Sequence, residues 1–207
     1  MSGDLVGGGY PVIDPFTALG LPSNVAQGNI AARSNLHYGI LGSLQDAAAS
    51  LVSGDLTYVP VPVCVGDLIQ TVTVLVGATG ASTPTHQFAA LYSGVLTTAK
   101  ILGSQSTDGT TTAIPASTAL AFTLGSKYII QPADAPNGYI LVGLSVTAST
   151  VPSLVSGTVP TATQKTWFTN TPLLGATYSS ALGATAPTSI TLASASALAS
   201  PPVVILT

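Results

Sequence analysis

Short apolar runs at regular spacing fill the chain from residue 56 onwards, and this spacing constrains the fold more than any other feature. The runs are rich in Val, Ile, Leu, Thr and Tyr, and clusters of Gly, Pro, Asp, Asn and Ser separate them, which is the pattern of strands and turns. Helical crossovers between them are missing, so a parallel α/β sheet is disfavoured. The predicted strands are residues 56–63, 68–76, 87–92, 97–102, 118–124, 128–131, 139–147 and 203–206.

The run that starts at Tyr139 gives the clearest strand signal. Successive residues up to Val146 divide into two alternating sets, which is the period expected of a strand with one buried face. Seven or eight short strands at this spacing predict a mainly β fold. We therefore expect an antiparallel β-sandwich or jelly-roll-like domain over residues 54–207.

Residues 1–53 differ in composition from this body. Glycines and prolines such as those of residues 7–11 punctuate the segment and predict an extended N-terminal arm. Apolar residues at three- and four-residue steps predict at most one short helix, within residues 36–50. Gly39 and Gly42 weaken that helix by about 1 kcal/mol each relative to alanine. The arm is expected to dock on the body or on a partner.

A second unusual stretch, residues 148–202, is dominated by Ala, Ser, Thr, Gly and Pro, and its concentrated apolar pair is Trp167-Phe168. A featureless loop of this length is uncommon inside a compact domain. The stretch is either an additional pair of strands or an excursion that packs on a partner before the last strand returns. We favour the excursion.

Charged residues are scarce: four are basic and seven are acidic, which is 5% of the chain against about a quarter in ordinary soluble domains. Arg33, Lys100, Lys127 and Lys165 are isolated, so we expect no nucleic-acid partner. No apolar run reaches the ~20 residues of a spanning helix, so no membrane insertion is expected. A surface with so little charge gives weak protection against self-association, which predicts a homo-oligomer.

Groups suited to catalysis are few and scattered. Cys64 is the single cysteine, and its apolar surroundings predict a small buried side chain. His86 is interpreted as a polar residue where a turn meets a strand, and neither histidine forms a metal motif. The aspartates lie mostly in turn contexts without the spacing of a calcium loop. We therefore expect a non-enzymatic protein without cofactor or metal.

Aromatic side chains are the remaining candidates for a binding surface. Sugar rings dock on exposed aromatic rings, and tyrosine and tryptophan are also enriched at subunit contacts. Each of these residues could equally fill a core. The candidate glycan or interface contacts are Tyr92, Tyr128, Tyr139, Trp167 and Phe168.

Two blocks of the middle region resemble structural proteins of tailed bacteriophages, especially those of actinobacterial hosts. The first is residues 83–92, Thr-Pro-Thr-His-Gln-Phe-Ala-Ala-Leu-Tyr, and the second is residues 138–144 followed by 147–154. The resemblance covers residues 53–157. Its motifs are strand and turn patterns rather than catalytic signatures.

The resemblance implies a virion component: a minor tail protein, a fibre module or a capsid decoration protein present in many copies. It favours a trimer and contacts to other virion proteins through the arm. The alternative is a host-recognition module that binds cell-envelope glycan. Phe88 stands where similar proteins carry tryptophan and Ser93 where aspartate is common, so no ligand contact is carried over. No basic residue precedes an apolar run at the N-terminus, so no secretory signal is expected and the chain would be made in the host cytoplasm.

Overall fold

The computed structural model describes residues 33–34, 44–95, 97–157, 175–178, 181–198 and 200–207, with the backbone alone at 33–34, 44–50 and 197. The described residues include thirteen strands and one short 3-10 turn, Leu192–Ser194. The strands are β1 (Arg33–Ser34), β2 (Leu44–Ser50), β3 (Leu56–Pro62), β4 (Leu68–Leu75), β5 (His86–Tyr92), β6 (Thr98–Leu102), β7 (Ala119–Ile129), β8 (Tyr139–Thr147), β9 (Ser153–Gly157), β10 (Ala176–Tyr178), β11 (Ser189–Thr191), β12 (Ser196–Ala197) and β13 (Val204–Leu206).

The strands form two main sheets and a two-stranded ribbon. The smaller sheet has the order β1-β13-β4-β7, the larger has the order β11-β6-β5-β8-β3-β10-β12, and β2 pairs with β9. Every one of these strand pairings is antiparallel. The predicted mainly β, antiparallel sandwich is therefore confirmed.

The main core lies between the two sheets. One face of the seven-stranded sheet supplies residues such as Val59, Leu91 and Val142, and the four-stranded sheet supplies residues such as Val72 and Phe122. β4 buries the residues on its core-facing side, such as Ile69, Val72 and Val74, because its other face is towards solvent. This burial of apolar surface is the dominant stabilising contribution to the sandwich.

The opposite face of the seven-stranded sheet is also buried. Leu56, Tyr58, Phe88, Tyr92 and Leu141 form a second cluster there, joined by apolar residues between 176 and 195. As a result β3, β5 and β8 are buried along almost their whole length.

Gly143 of β8 gives the second cluster the room it needs. A Cβ atom at this position would lie 2.9 Å from Leu56 Cδ1 and 2.9 Å from Tyr92 Cε2, closer than real Cβ contacts. The missing side chain therefore lets the Tyr92 ring lie over the sheet.

Two regions differ from the sequence-based expectation. The helix predicted within residues 36–50 is wrong over Leu44–Ser50, which is strand β2, and residues 36–43 lie outside the described residues. Residues 44–50 contain no glycine and are rich in helix formers, so their pairing with β9 overrides the local helical preference. Strand β7 joins the two strands predicted at 118–124 and 128–131, with a register shift between Ile69 and Thr71 of its partner β4.

The described parts of residues 148–202 pair with the body. β9 pairs with β2, β10 with β3 and β12, and β11 with β6. Additional strands, rather than the favoured excursion, therefore describe these parts, whereas residues 158–174 lie outside the described residues. Within the part of the chain that is described, no helix has the length and apolarity required to cross a membrane.

Candidate functional site

Two of the predicted contact residues, Tyr92 and Tyr139, lie in the core. Tyr92 is fully buried, and its hydroxyl donates a 3.0 Å hydrogen bond to the backbone carbonyl of Pro187. Tyr139 is 3% exposed. Neither ring offers a face to a sugar or to a partner in the folded chain. Trp167 and Phe168 lie outside the described residues.

Tyr58 belongs to the same buried cluster, although sequence reasoning did not select it. The hydroxyls of Tyr58 and Tyr139 are buried and have no hydrogen-bond partner among the described residues. Burial, followed by the nearby Tyr139, raises the pKa of Tyr58 to about 12, and burial also raises the pKa of Tyr139. Burial and then Tyr178 raise the pKa of Tyr92. Burial therefore keeps these hydroxyls protonated above the pH at which an exposed tyrosine ionises.

Tyr128 is half-buried and is held in place by the turn that follows β7. Its hydroxyl donates a 2.9 Å hydrogen bond to Asp134 Oδ2, which also accepts a bond from the backbone N–H of Gln131. Burial, then the hydrogen bond to Asp134 and the charge of that carboxylate, raise the pKa of Tyr128 to about 12. The ring lies against Gly103, where a Cβ would come within 2.7 Å of Tyr128 Cδ2. One ring face is thus already covered.

A polar network joins His86 and Asp108, which are 22 residues apart in sequence. His86 Nδ1 lies 2.7 Å from Asp108 Oδ2, and Asp108 Oδ1 accepts a 2.8 Å bond from the backbone N–H of Gln87. The Gln87 amide then donates to the carbonyls of Gly109 and Thr112. The network fastens the loop after β6 to the start of β5. Sequence reasoning missed it because no local motif links the two residues.

The histidine–aspartate pair is not extended into a catalytic arrangement in the described part of the chain. No hydrogen bond links His86 Nε2 to a hydroxyl or a thiol there, and no group of three or more His, Cys, Asp or Glu side chains could hold a metal ion. Cys64, which we predicted to be buried, is exposed, because it begins a turn in which its N–H donates to Asp67 Oδ2.

A groove runs along part of the free edge of β7. Residues 105 and 106 close one end of this edge, because Ser106 bridges Leu124 and the Gly125 N–H donates to the Gln105 carbonyl. Beyond this point the loop and the strand diverge and leave a groove of about 270 Å³. Its lining residues are Gln87, Thr107, Gly109, Thr112, Leu120, Ala121, Phe122 and Thr123.

An exposed apolar patch, which we define as Val65, Leu68 and Ile129, lies where β4 begins and β7 ends. Leu68 and Ile129 belong to these strands, and Val65 belongs to the turn before β4, which hydrogen-bonds to the end of β7. Leu68 and Ile129 lie opposite each other in the β4–β7 register. Their exposed fractions are 45% and 52%, and that of Val65 is 58%. Packing in the core therefore does not account for these three apolar side chains.

Protein families and curated proteins were compared with the chain. No protein-family model matches the chain, and no curated protein is significantly similar to it. The resemblance to phage structural proteins over residues 53–157 accordingly stays a prediction.

Proposed function

We propose that this chain is a non-enzymatic structural protein of a tailed-bacteriophage virion that assembles in multiple copies. The observation that carries the proposal is the exposed apolar patch on a sandwich with very few charges. Three large aliphatic side chains stand at one end of the four-stranded sheet, each about half exposed. Clustered apolar side chains of this kind mark surfaces that are covered in an assembly.

The polar groups of the molecule support a structural rather than a catalytic role. Asp67 and Asp134 accept hydrogen bonds from backbone N–H groups of their own turns, and Asp108 accepts one from the N–H of Gln87 in β5. Carboxylates used in this way fix the backbone instead of activating a substrate. The virion assignment and the docking of residues 1–53 on other virion proteins rest on the resemblance over residues 53–157.

The assembly would depend on apolar contacts and therefore respond weakly to salt. Salt screens charge pairs, and the chain carries eleven charged side chains in total, four basic and seven acidic. We expect sedimentation of the purified full chain to show one oligomer whose mass is unchanged between low salt and about 0.5 M NaCl. The oligomer of the double variant Leu68→Ser, Ile129→Ser should dissociate. The oligomer of the control variant Thr71→Ser, which changes a polar residue of β4, should not.

A monomer at every concentration and salt level would contradict the multi-copy assembly. The virion assignment has its own test, because antibodies against the chain should decorate intact particles produced from the genome that encodes it. Particles that carry no label, despite a folded oligomer in solution, would overturn that assignment alone.

A further inference from the structure

Among the residues that the structure describes, the outer edge of β7 has backbone hydrogen-bonding groups without a partner. The Val76 N–H donates to the Thr118 carbonyl, so the peptide groups of Thr118 point towards β4. Successive residues of an antiparallel strand alternate in this direction, and those of Ala119 and Ala121 therefore point away from β4. Within the described residues, no hydrogen bond reaches these outward-pointing groups. An unpaired edge of this kind is a template for an added strand.

The groove beside this edge suits a single extended segment. β7 residues 120–123 form one wall, and Thr107, Gly109 and Thr112 line the other. Because a loop already lies opposite the strand, the groove favours one extended chain over the edge of a second folded sheet. Gln87 is 4% exposed and lines the same groove, and its Oε1 is buried without a hydrogen-bond partner in the described part of the chain.

We propose that this groove binds an extended segment from residues 1–32 of a second copy of the chain, which adds a strand to β7. The inference rests on the proposed multi-copy assembly and adds a second contact to the apolar patch. Main-chain hydrogen bonds to Ala119 and Ala121 would supply affinity, and the groove would select side chains of suitable size.

The place where these residues join the fold supports their choice as the occupant. They lead directly into β1, which pairs with β13 at the opposite edge of the same four-stranded sheet. Thirty-two extended residues span about 105 Å, far more than the ~15 Å across the sheet. A segment that leaves one edge and binds the opposite edge of the next copy makes a head-to-tail contact, which closes into a ring under cyclic symmetry.

The chemistry of the segment matches that of the groove. Residues 1–32 contain two charged side chains, Asp4 and Asp14, and are otherwise small, apolar or uncharged polar. The groove is lined by uncharged residues as well. An added strand therefore buries no unpaired charge there if it avoids the two aspartates.

Disulfide trapping between two differently tagged copies tests the contact. Both copies carry Cys64→Ser, because Cys64 is exposed. One copy carries Ala121→Cys, and the other carries Leu19→Cys, Leu21→Cys or Val25→Cys, all away from the two aspartates, in separate experiments. Neighbouring strands bring Cα atoms to about 4.5–5.5 Å, which a disulfide can bridge. We expect a reducible heterodimer with at least one of the three positions.

A single chain with both cysteines serves as the comparison for binding within one copy. A bond formed only inside that chain, with no heterodimer from any of the three pairs, would overturn the proposed exchange between copies. The absence of both products would overturn binding of this segment to the groove.

A second measurement uses substitution at Ala121 alone. Ala121→Pro removes the outward N–H but leaves the bonds between β7 and β4, whereas Ala121→Ser keeps the N–H. We expect the proline variant and a chain lacking residues 2–32 to lose the oligomer while circular dichroism shows a folded β protein, and the serine variant to keep it. If both altered chains keep the oligomer, the groove contact is refuted and the multi-copy proposal stands. A monomeric unaltered chain would refute both.

Discussion

The two sheets of the sandwich are buried to different extents, although both are antiparallel and both contribute to the same core. In the seven-stranded sheet β3, β5 and β8 are covered on both faces. In the four-stranded sheet β4 and β7 bury some of their residues and leave the residues between them partly or fully exposed. Continuous apolar runs thus correspond to the covered sheet, and alternation corresponds to the sheet with an outer face.

This difference separates stability from interaction. The seven-stranded sheet holds the buried tyrosines and supplies residues to both apolar clusters. The four-stranded sheet carries the exposed apolar patch and the free edge of β7. We therefore expect substitutions in the first sheet to change the free energy of unfolding and substitutions in the second to change association.

The largest expected change in the free energy of unfolding comes from replacing isoleucine with alanine, and each sheet offers an isoleucine for the comparison. Ile140 in β8 is fully buried, so Ile140→Ala should cost about 2–5 kcal/mol of unfolding free energy. Ile129 in β7 is 52% exposed, and Ile129→Ala should cost less than about 1 kcal/mol in the dissociated chain. Urea unfolding of both variants measures the difference. Equal losses would mean that the two sheets are not buried differently.

Sequence patterns predicted the strands well because each strand signal is local. β8 was predicted as residues 139–147 and is observed as Tyr139–Thr147. The same alternation suggested one buried face, yet both faces of β8 are buried, because the cover comes from residues far along the chain. The helix predicted within residues 36–50 is wrong over 44–50 for a similar reason. Their strand partner, β9, lies far along the chain and leaves no signal in the local sequence.

The candidate interaction sites were largely beyond sequence reasoning. The free edge of β7 depends on which strand ends the sheet, and the Leu68–Ile129 pair depends on a register that shifts along β4 and β7. Aromatic residue type did select Tyr92 and Tyr139, but their burial is decided by the strand face on which they lie. The scarcity of charged residues predicted that the chain associates with itself, but it did not predict which surface makes the contact.

Alkaline pH should destabilise the chain mainly through the buried tyrosines of the seven-stranded sheet. The pKa of Tyr58 is raised from 10.0 to about 12, so above pH 10 the native state keeps a proton that the unfolded state releases. Stability is full below pH 10 and falls as the pH rises towards 12, by on the order of 1 kcal/mol per pH unit for each such group.

Urea unfolding over this pH range checks the effect. Tyr58→Phe should flatten the fall more than Tyr128→Phe, because Tyr128 lies on the four-stranded sheet and is partly solvated, so screening reduces its contribution. Identical slopes for the unaltered chain and Tyr58→Phe would contradict the assignment of this pH dependence to the buried cluster.

The smallest effect concerns two tyrosines of the same buried face at neutral pH. The Tyr58 hydroxyl is buried without a partner among the described residues, so Tyr58→Phe should leave the free energy of unfolding unchanged or raise it by up to about 1 kcal/mol. Tyr92 donates to the Pro187 carbonyl, so Tyr92→Phe should lower it by about 1 kcal/mol. Because both substitutions remove one oxygen from a fully covered ring, any difference in sign reports the hydrogen bond rather than burial. A loss of similar size in both variants would show that the Tyr58 hydroxyl has a partner in solution.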